Sequence, residues 1–244
     1  MSQIKTLNRA LDILFILTEA EGPLTVTEIA EKTAVPESTT YRLIQSLEKK
    51  GVIHRHSGQI SLGMRILDMA KTIYEQIDQD LLTHAQPIME ELTNKIDETS
   101  ILVVRRGNIG VTVHHVDGSH LIGFVVRNGR THPLHLGASG KAILAFETQK
   151  YINRFITEID VKHHEKLLKD LAQIRDDGYV KTTGEVDSDI VGISAPVFDR
   201  INRITASISI VGPKDRFNEQ VTEKTMNAVI GSAKKLTQKL SNKE

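Results

Sequence analysis

Apolar positions along the first third of the chain recur at helical spacing, and the polar residues between them punctuate short segments. Leu7 to Thr18 places Leu7, Ala10, Leu11, Leu14 and Leu17 on one stripe of a helix. Gly22-Pro23 ends that helix. Thr25 and Glu28 then stand at capping-box spacing, with Ile29 and Ala30 opening a second, short helix. Ala34-Val35-Pro36 lead by a tight turn into a third helix, which Gly51 closes as a left-handed cap. Within that third segment, PESTTYRLIQSLEKKG, residues Thr40, Leu43, Ile44 and Leu47 fall on one side. Ser38, Arg42, Gln45 and Lys49 fall on the other, flanked by Thr39, Tyr41 and Ser46. Val52–Arg55 and Gln59–Leu62, joined through Ser57-Gly58, predict a hairpin. A helix over Met64–Gln79 follows, apolar on nearly every face: Leu67, Ala70, Tyr74 and Ile77 form one stripe, with Ile66, Met69 and Ile73 beside it. Such a helix suits packing against a partner subunit. A further helix near Leu81–Ile96 turns Ala85, Ile88, Met89, Leu92 and Ile96 to one side, with Pro87 early in it.

The period then changes from helix to strand. Thr99–Arg105, Ile109–Val116 and His120–Val126 read as strands separated by Arg106-Gly107-Asn108 and Asp117-Gly118, so the sheet starts antiparallel. Helices are expected over Lys141–Glu147, Lys150–Thr157 and His163–Asp177. Strands follow near Tyr179–Thr182, Ile190–Val197 and Ile204–Val211, then a terminal helix over Asn218–Leu240. Strands and helices in blocks make an α+β body. The expected division is residues 1–63 for the head, 64–80 for a linker helix and 81–244 for the body.

Two short helices joined by a tight turn, followed by a hairpin, have the plan of a helix-turn-helix with a wing. The third helix alone also fits an ordinary amphipathic surface helix; its flanking segments favour the DNA reading. On that reading Arg42 is the first candidate for base or phosphate contact, with Ser38, Thr39 and Gln45 next. Lys49 shares their edge, and Arg55 in the wing is placed to lie on phosphate. Tyr41 either reaches the DNA backbone or is half buried. His54 and His56 either join Arg55 or stay solvated.

Composition changes the picture in only a few respects. Lys plus Arg and Asp plus Glu number 31 each, so any attraction to DNA has to come from where charges lie. The head follows the same balance. Cysteine is absent, which removes disulfides, thiolate metal sites and a cysteine nucleophile, and fits a reducing cytoplasm. No leader pattern and no apolar run of membrane-spanning length is present. Aromatic residues make up 4% and tryptophan is missing, so a ligand pocket is expected to be aliphatic.

In the body, Gly137-Ala138-Ser139-Gly140 stand before an expected helix, where free amides and the positive helix end accommodate a carboxylate or another anion. The plainer alternative is a simple strand-to-helix connection. Two enzyme motifs fail at this loop. A phosphate-binding loop needs Ser or Thr after its lysine, whereas Ala142 follows Lys141; a nucleophile elbow needs a second glycine where Lys141 stands. His114, His115, His120, His132 and His135 lie close in sequence, but no tight ligand spacing or thiolate supports a metal site; surface or pocket-lining histidines are the default. Asp187 and Asp189 sit in a polar loop and read as solvated rather than catalytic. No catalytic residues, metal or cofactor are assigned.

Taken together, LNRALDIL, LTVTEIAEKT, VPESTTYRLIQSLEKKGVI, ISLGMRIL, LHLGASGKAILA, DDGYVKTTGE and ISAPVFD followed by ASISIVG resemble, in order and spacing, the IclR-type bacterial transcriptional regulators over nearly the whole chain. The resemblance implies a mainly α winged helix-turn-helix head and an α+β GAF-like body with a predominantly antiparallel sheet. It implies operator DNA and a small-molecule effector as partners, in a homodimer or homotetramer, with no membrane. For the body it favours a pocket walled by Gly137–Gly140, by the segment from Glu185 through Asp187 to Ser194, and by Ser207 and Ser209. It also likens Arg9 to a position that approaches the DNA backbone, against a plain surface arginine. Glu37 and Ile60 depart from the usual pattern, where a basic or neutral residue and an aromatic are common.

Overall fold

The computed structural model describes residues 5–76, 79–120, 126–160 and 164–241. The chain divides into two compact units, Met1–Asp78 and Gln79–Glu244. The strand expected over His120–Val126 lies almost wholly outside the described residues, as do Ile77 and the side chains of Ile73 and Tyr74.

In the head, α1 (Lys5–Glu19), α2 (Val26–Thr33) and α3 (Glu37–Lys49) precede the hairpin β1 (Ile53–His56) and β2 (Gln59–Leu62), and α4 (Arg65–Gln76) closes the unit. Thr25 forms the expected capping box: its side chain accepts from the Glu28 amide while the Glu28 carboxylate accepts from the Thr25 amide. Helix α3 ends in paired bonds, Gly51 N–H to Glu48 carbonyl and Val52 N–H to Leu47 carbonyl, with Gly51 at φ +72°. Ser57 and Gly58 both take positive φ, the geometry of a two-residue hairpin turn. Ile13, Leu17, Ile29, Leu43, Ile44, Ile53 and Ile60 form the core. An unforeseen bridge ties Leu24 to Ile60 through two backbone bonds of 2.9 and 2.7 Å, which fastens the hairpin to the segment before α2.

The stripe expected on α1 is corrected. Ile13 and Leu17 are buried, with Ala10 and Leu14 packed beside them, whereas Leu7 and Leu11 are exposed at 54% and 41%. Phe15, at 62%, continues their row. The helix is apolar on two adjacent faces, so periodicity alone could not choose between them.

The body is a six-stranded antiparallel sheet in the order β5-β4-β3-β8-β7-β6. Its strands are β3 (Thr99–Arg106), β4 (Ile109–Val116), β5 (Thr131–Pro133), β6 (Val180–Thr183), β7 (Ile190–Phe198) and β8 (Ile204–Pro213). Helices α5 (Gln79–Ile96) and α9 (Glu219–Ser241) share one core with Leu102, Val104, Ile193, Ala195, Ala206, Ile208 and Ile210. The alternate strand positions point the other way, so Ile101, Val103 and Val211 meet Ile143 of α6 (Gly137–Leu144). Helices α7 (Gln149–Thr157) and α8 (His164–Asp177) pack with α6 around Leu134, Leu144, Phe155 and Leu171. Coverage on both faces explains the continuous burial of β7 and β8, which no polar–apolar alternation interrupts.

Two further expectations change. Helix α6 starts at Gly137, not at Lys141, so Gly137–Gly140 are its first turn rather than a loop in front of it. Glycine and serine are weak helix formers, but here small size decides. A Cβ on Gly140 would stand 2.6 Å from the Leu134 carbonyl oxygen, and one on Gly137, at φ +76°, would stand 2.7 Å from Val186 Cγ2. Strand β5 was not anticipated, because Pro133 argues against a strand; it runs at the sheet edge, where proline is tolerated.

Candidate functional site

Two places gather the chemistry, one in each unit. In the head, α3 buries Thr40, Leu43 and Ile44 and leaves Ser38, Arg42, Gln45 and Lys49 exposed along the opposite edge. The Thr40 hydroxyl donates to the Val35 carbonyl at 3.3 Å and anchors the start of the helix. Thr39 is half-buried, and Arg9 and Glu37 are exposed. Tyr41 is 39% exposed, and the Arg55 guanidinium carbon lies 5.2 Å from its ring centre. That contact joins α3 to the β1–β2 hairpin. His54 and His56 are exposed on the hairpin, their rings stacked at 6.5 Å.

In the body, a cavity with about 550 Å³ of atom-free space, partly open to solvent, lies between the start of α6, the sheet and the segment 184–189. Gly137, Ala138, Ser139, Glu185, Asp187 and Ser209 line it, together with apolar Ile101, Val126, Ile190 and Val211. Gly140, Ser194 and Ser207 do not. Gly140 is pressed on the Leu134 backbone. The Ser207 hydroxyl donates to the Ser139 carbonyl at 3.0 Å. Ser209 and Ser194, opposite each other in register, share a hydroxyl–hydroxyl bond of 2.8 Å, and Ser194 donates on to the Ile208 carbonyl.

The cavity also presents Thr112, Arg130 and Thr182, which the sequence reading did not single out, and His132, which that reading left as a surface or pocket-lining histidine. The His132 Nε2 is 3.0 Å from the Ser139 hydroxyl. Burial, and then the charge of Arg130, hold the His132 pKa below its ordinary value, so the ring is neutral near pH 7. Arg130 Nη2 donates to Asp187 Oδ2 at 2.7 Å, with about a third of each side chain exposed.

The amides at the start of α6 do not all face the cavity. Gly137 N–H donates to Glu185 Oε2 at 3.0 Å, so the protein's own carboxylate sits at the positive helix end. The same carboxylate accepts from Lys141 Nζ at 2.7 Å, and Asp170 accepts from it at 2.8 Å. Lys141 is only 5% exposed. Its burial would lower its pKa, but the bonds to Asp170 and Glu185 outweigh that and hold it above the ordinary lysine value. One signal was available in the sequence. A lone lysine inside the otherwise apolar, small-residue helix GASGKAIL must be paired if that helix is buried all round.

The other histidines do not converge with His132. His115 bonds Asn128 at 2.9 Å, His120 stands 3.6 Å from Asp97, and His135 packs against the Phe155 ring. Among the described residues no group of three or more His, Asp or Glu side chains is placed to hold a metal ion.

A winged helix-turn-helix unit and a cavity-bearing α+β unit in one chain have the plan of a DNA-binding regulator. The profile of the IclR helix-turn-helix domain matches residues 6–57, and that of the bacterial transcriptional regulator IclR C-terminal domain matches residues 76–238. The chain belongs to the IclR family of bacterial transcriptional regulators. It is 29% identical over 245 residues to the HTH-type transcriptional regulator KipR of Bacillus subtilis, covering 95% of this chain and 97% of that one. To the transcriptional repressor IclR of Escherichia coli it is 26% identical over 247 residues, covering 96% and 89%. Among solved structures, IclR of Thermotoga maritima superposes with a TM-score of 0.77 at 26% identity, covering 98% of this chain and 100% of that one.

Proposed function

We propose that the protein is a one-component regulator: a homodimer, or a tetramer built from dimers, that reads a pseudo-palindromic operator and responds to a small organic acid bound in the body. One observation carries the DNA half, namely that α3 keeps Ser38, Arg42, Gln45 and Lys49 on an edge clear of its own core. Arg42, Ser38, Thr39 and Gln45 take base edges or phosphates, while Lys49, Tyr41, Arg55 and Arg9 lie along the backbone. Exposed Leu7, Leu11 and Phe15 on α1, Met64 just before α4, and Leu67 and Met69 on α4 support a second subunit as their cover. In the body, Gly137, Ala138, Ser139, Glu185, Asp187 and Ser209 line the ligand's cavity, and Gly140, Ser194 and Ser207 shape it from behind. The acid changes operator binding only to the extent that it prefers one arrangement of the heads.

Anisotropy titrations of a labelled promoter fragment test the head. Binding should weaken steeply with salt, and Arg42→Ala should cost about 1–3 kcal/mol at the operator. A flat salt dependence, or a variant as tight as the parent, overturns the orientation of α3. A thermal-shift panel of carboxylates tests the body, since a ligand of the folded state raises its melting temperature.

The Ser139–His132 bond raises a hydrolase reading, and the electrostatics disfavour it. A serine nucleophile needs its histidine to become a cation. Here burial and Arg130 oppose that charge, and no carboxylate bonds the ring among the described residues. The protein is read as a regulator without catalysis.

A further inference from the structure

The cavity is surrounded by an unusual balance of charge. Arg130, Glu185 and Asp187 are the charged side chains that line it, with Lys141 and Asp170 bonded behind Glu185, while His132 is neutral. Both cations are already matched by acids of the protein, two of which stand two residues apart on the segment 184–189. An organic acid entering without any rearrangement would add negative charge to a place where, among the described residues, carboxylates already outnumber cations. It must therefore take the place of one of the protein's own carboxylates.

Burial decides which. Lys141 is 6% exposed at its side chain and holds two carboxylates, and Glu185 has a second donor in the Gly137 amide. Removing Glu185 would leave a buried cation and a helix end short of partners. The Arg130–Asp187 pair is 34% and 38% exposed, so water already competes for both members and Asp187 can leave into solvent. Arg130 presents a planar fork that takes an incoming carboxylate as readily as its own. His132 and Ser139 stand on the same wall of the cavity, where a hydroxyl or oxo group next to that carboxylate meets a neutral ring nitrogen and a hydroxyl. Ile101, Val126 and Val211 receive an aliphatic remainder.

We propose that Arg130 is the carboxylate-reading residue of the cavity, that Asp187 is its built-in competitor, and that the acid ligand binds by displacing Asp187. This rests on the reading of the body as a small-acid sensor. The exchange keeps the charge of the cavity constant and frees one of the ties holding 184–189. It thereby converts ligand binding into a change in that segment, while Glu185 keeps its place at Lys141.

The sign of two substitutions tests it. The probes are acetate, lactate and 2-hydroxybutyrate, with lactamide as the uncharged control, measured by calorimetric titration of the full chain at one salt concentration. Asp187→Asn removes the competitor and should tighten acid binding about tenfold, whereas Arg130→Gln should weaken it about tenfold or more, with Arg130→Lys between. Lactamide should respond to neither. Hydrogen exchange over 184–189 should rise when lactate binds the parent. If the acids bind and both substitutions weaken them alike, or neither changes them, the exchange is refuted and the small-acid reading stands. If no acid binds the parent or Asp187→Asn, or lactamide binds as well as lactate, the small-acid reading itself falls.

Discussion

Replacing Lys141 by methionine isolates the pairing at the heart of the body. The lysine is 5% exposed, and its ammonium is the only group joining Asp170 and Glu185 in the bonds described. Methionine fills the volume of the stem but leaves two carboxylates facing each other. Removing one partner of a fully buried ion pair costs about 3–5 kcal/mol. Asp170 and Glu185 keep 31% and 24% exposure, so water takes over part of the lost interaction, and the expected loss falls to about 2–3 kcal/mol. For a unit of this size that lowers the melting temperature of the body by roughly 5–10 °C, read by scanning calorimetry of the full chain. The sign with pH follows from linkage. A lysine whose folded pKa lies above 10.5 contributes its full stability below that value and loses it as pH rises through the folded pKa. The deficit of Lys141→Met is therefore constant through the neutral range and shrinks in strong alkali, where the parent weakens too. Adding Asp170→Asn and Glu185→Gln should recover a large part of the loss, because the repulsion goes with the charges. A loss under about 0.5 kcal/mol would show a solvated surface bridge and refute the account.

Other consequences are simpler to check. Thr25→Ala removes the side-chain acceptor of the Glu28 amide and should cost the head about 1 kcal/mol in urea unfolding. Thr25's backbone and side-chain bonds hold the Glu28 carboxyl below its ordinary value, so that part of the head's stability should fade as pH drops through the acid range; in Thr25→Ala the fading should be smaller. Gly140→Ala should cost about 1–3 kcal/mol, since its new methyl meets the rigid Leu134 carbonyl; the same change at Gly22, with nothing near it, should be close to neutral. Arg42→Ala should weaken operator binding without altering the melting temperature of either unit, because Arg42 is exposed and packs into neither core.

Local chemistry carried most of the head. The Thr25–Glu28 capping box, the Gly51 stop, and the Ser57-Gly58 turn each act over a few residues, so their types and spacing were sufficient to place three helices and a hairpin. Similarly, the alternation of Ser207 and Ser209 showed that they share a face of β8. It could not show that Ser209 would meet the cavity while Ser207 supports Ser139 from below. The α1 stripe was misassigned for a related reason: two apolar faces were available, and only contact with Ile29 and Ile44 selects Ile13 and Leu17.

The chain's order of residues by itself determined the helix-turn-helix and its outward polar edge, because these follow from periodicity, caps and turns that close within a dozen residues, and the class of protein was legible through its resemblance to the IclR-type regulators. The tertiary structure alone decided the chemistry of the cavity. Arg130 meets Asp187 across 57 residues, and Gly137 meets Glu185 across 48, partners that no local spacing announces. It also sets the protein's own Glu185 carboxylate on the Gly137 amide, where the residues alone left both an anion site and a plain strand-to-helix connection open. Long-range charge pairing is set by which segments the packed sheet and helices bring together, and that is a property of the whole fold.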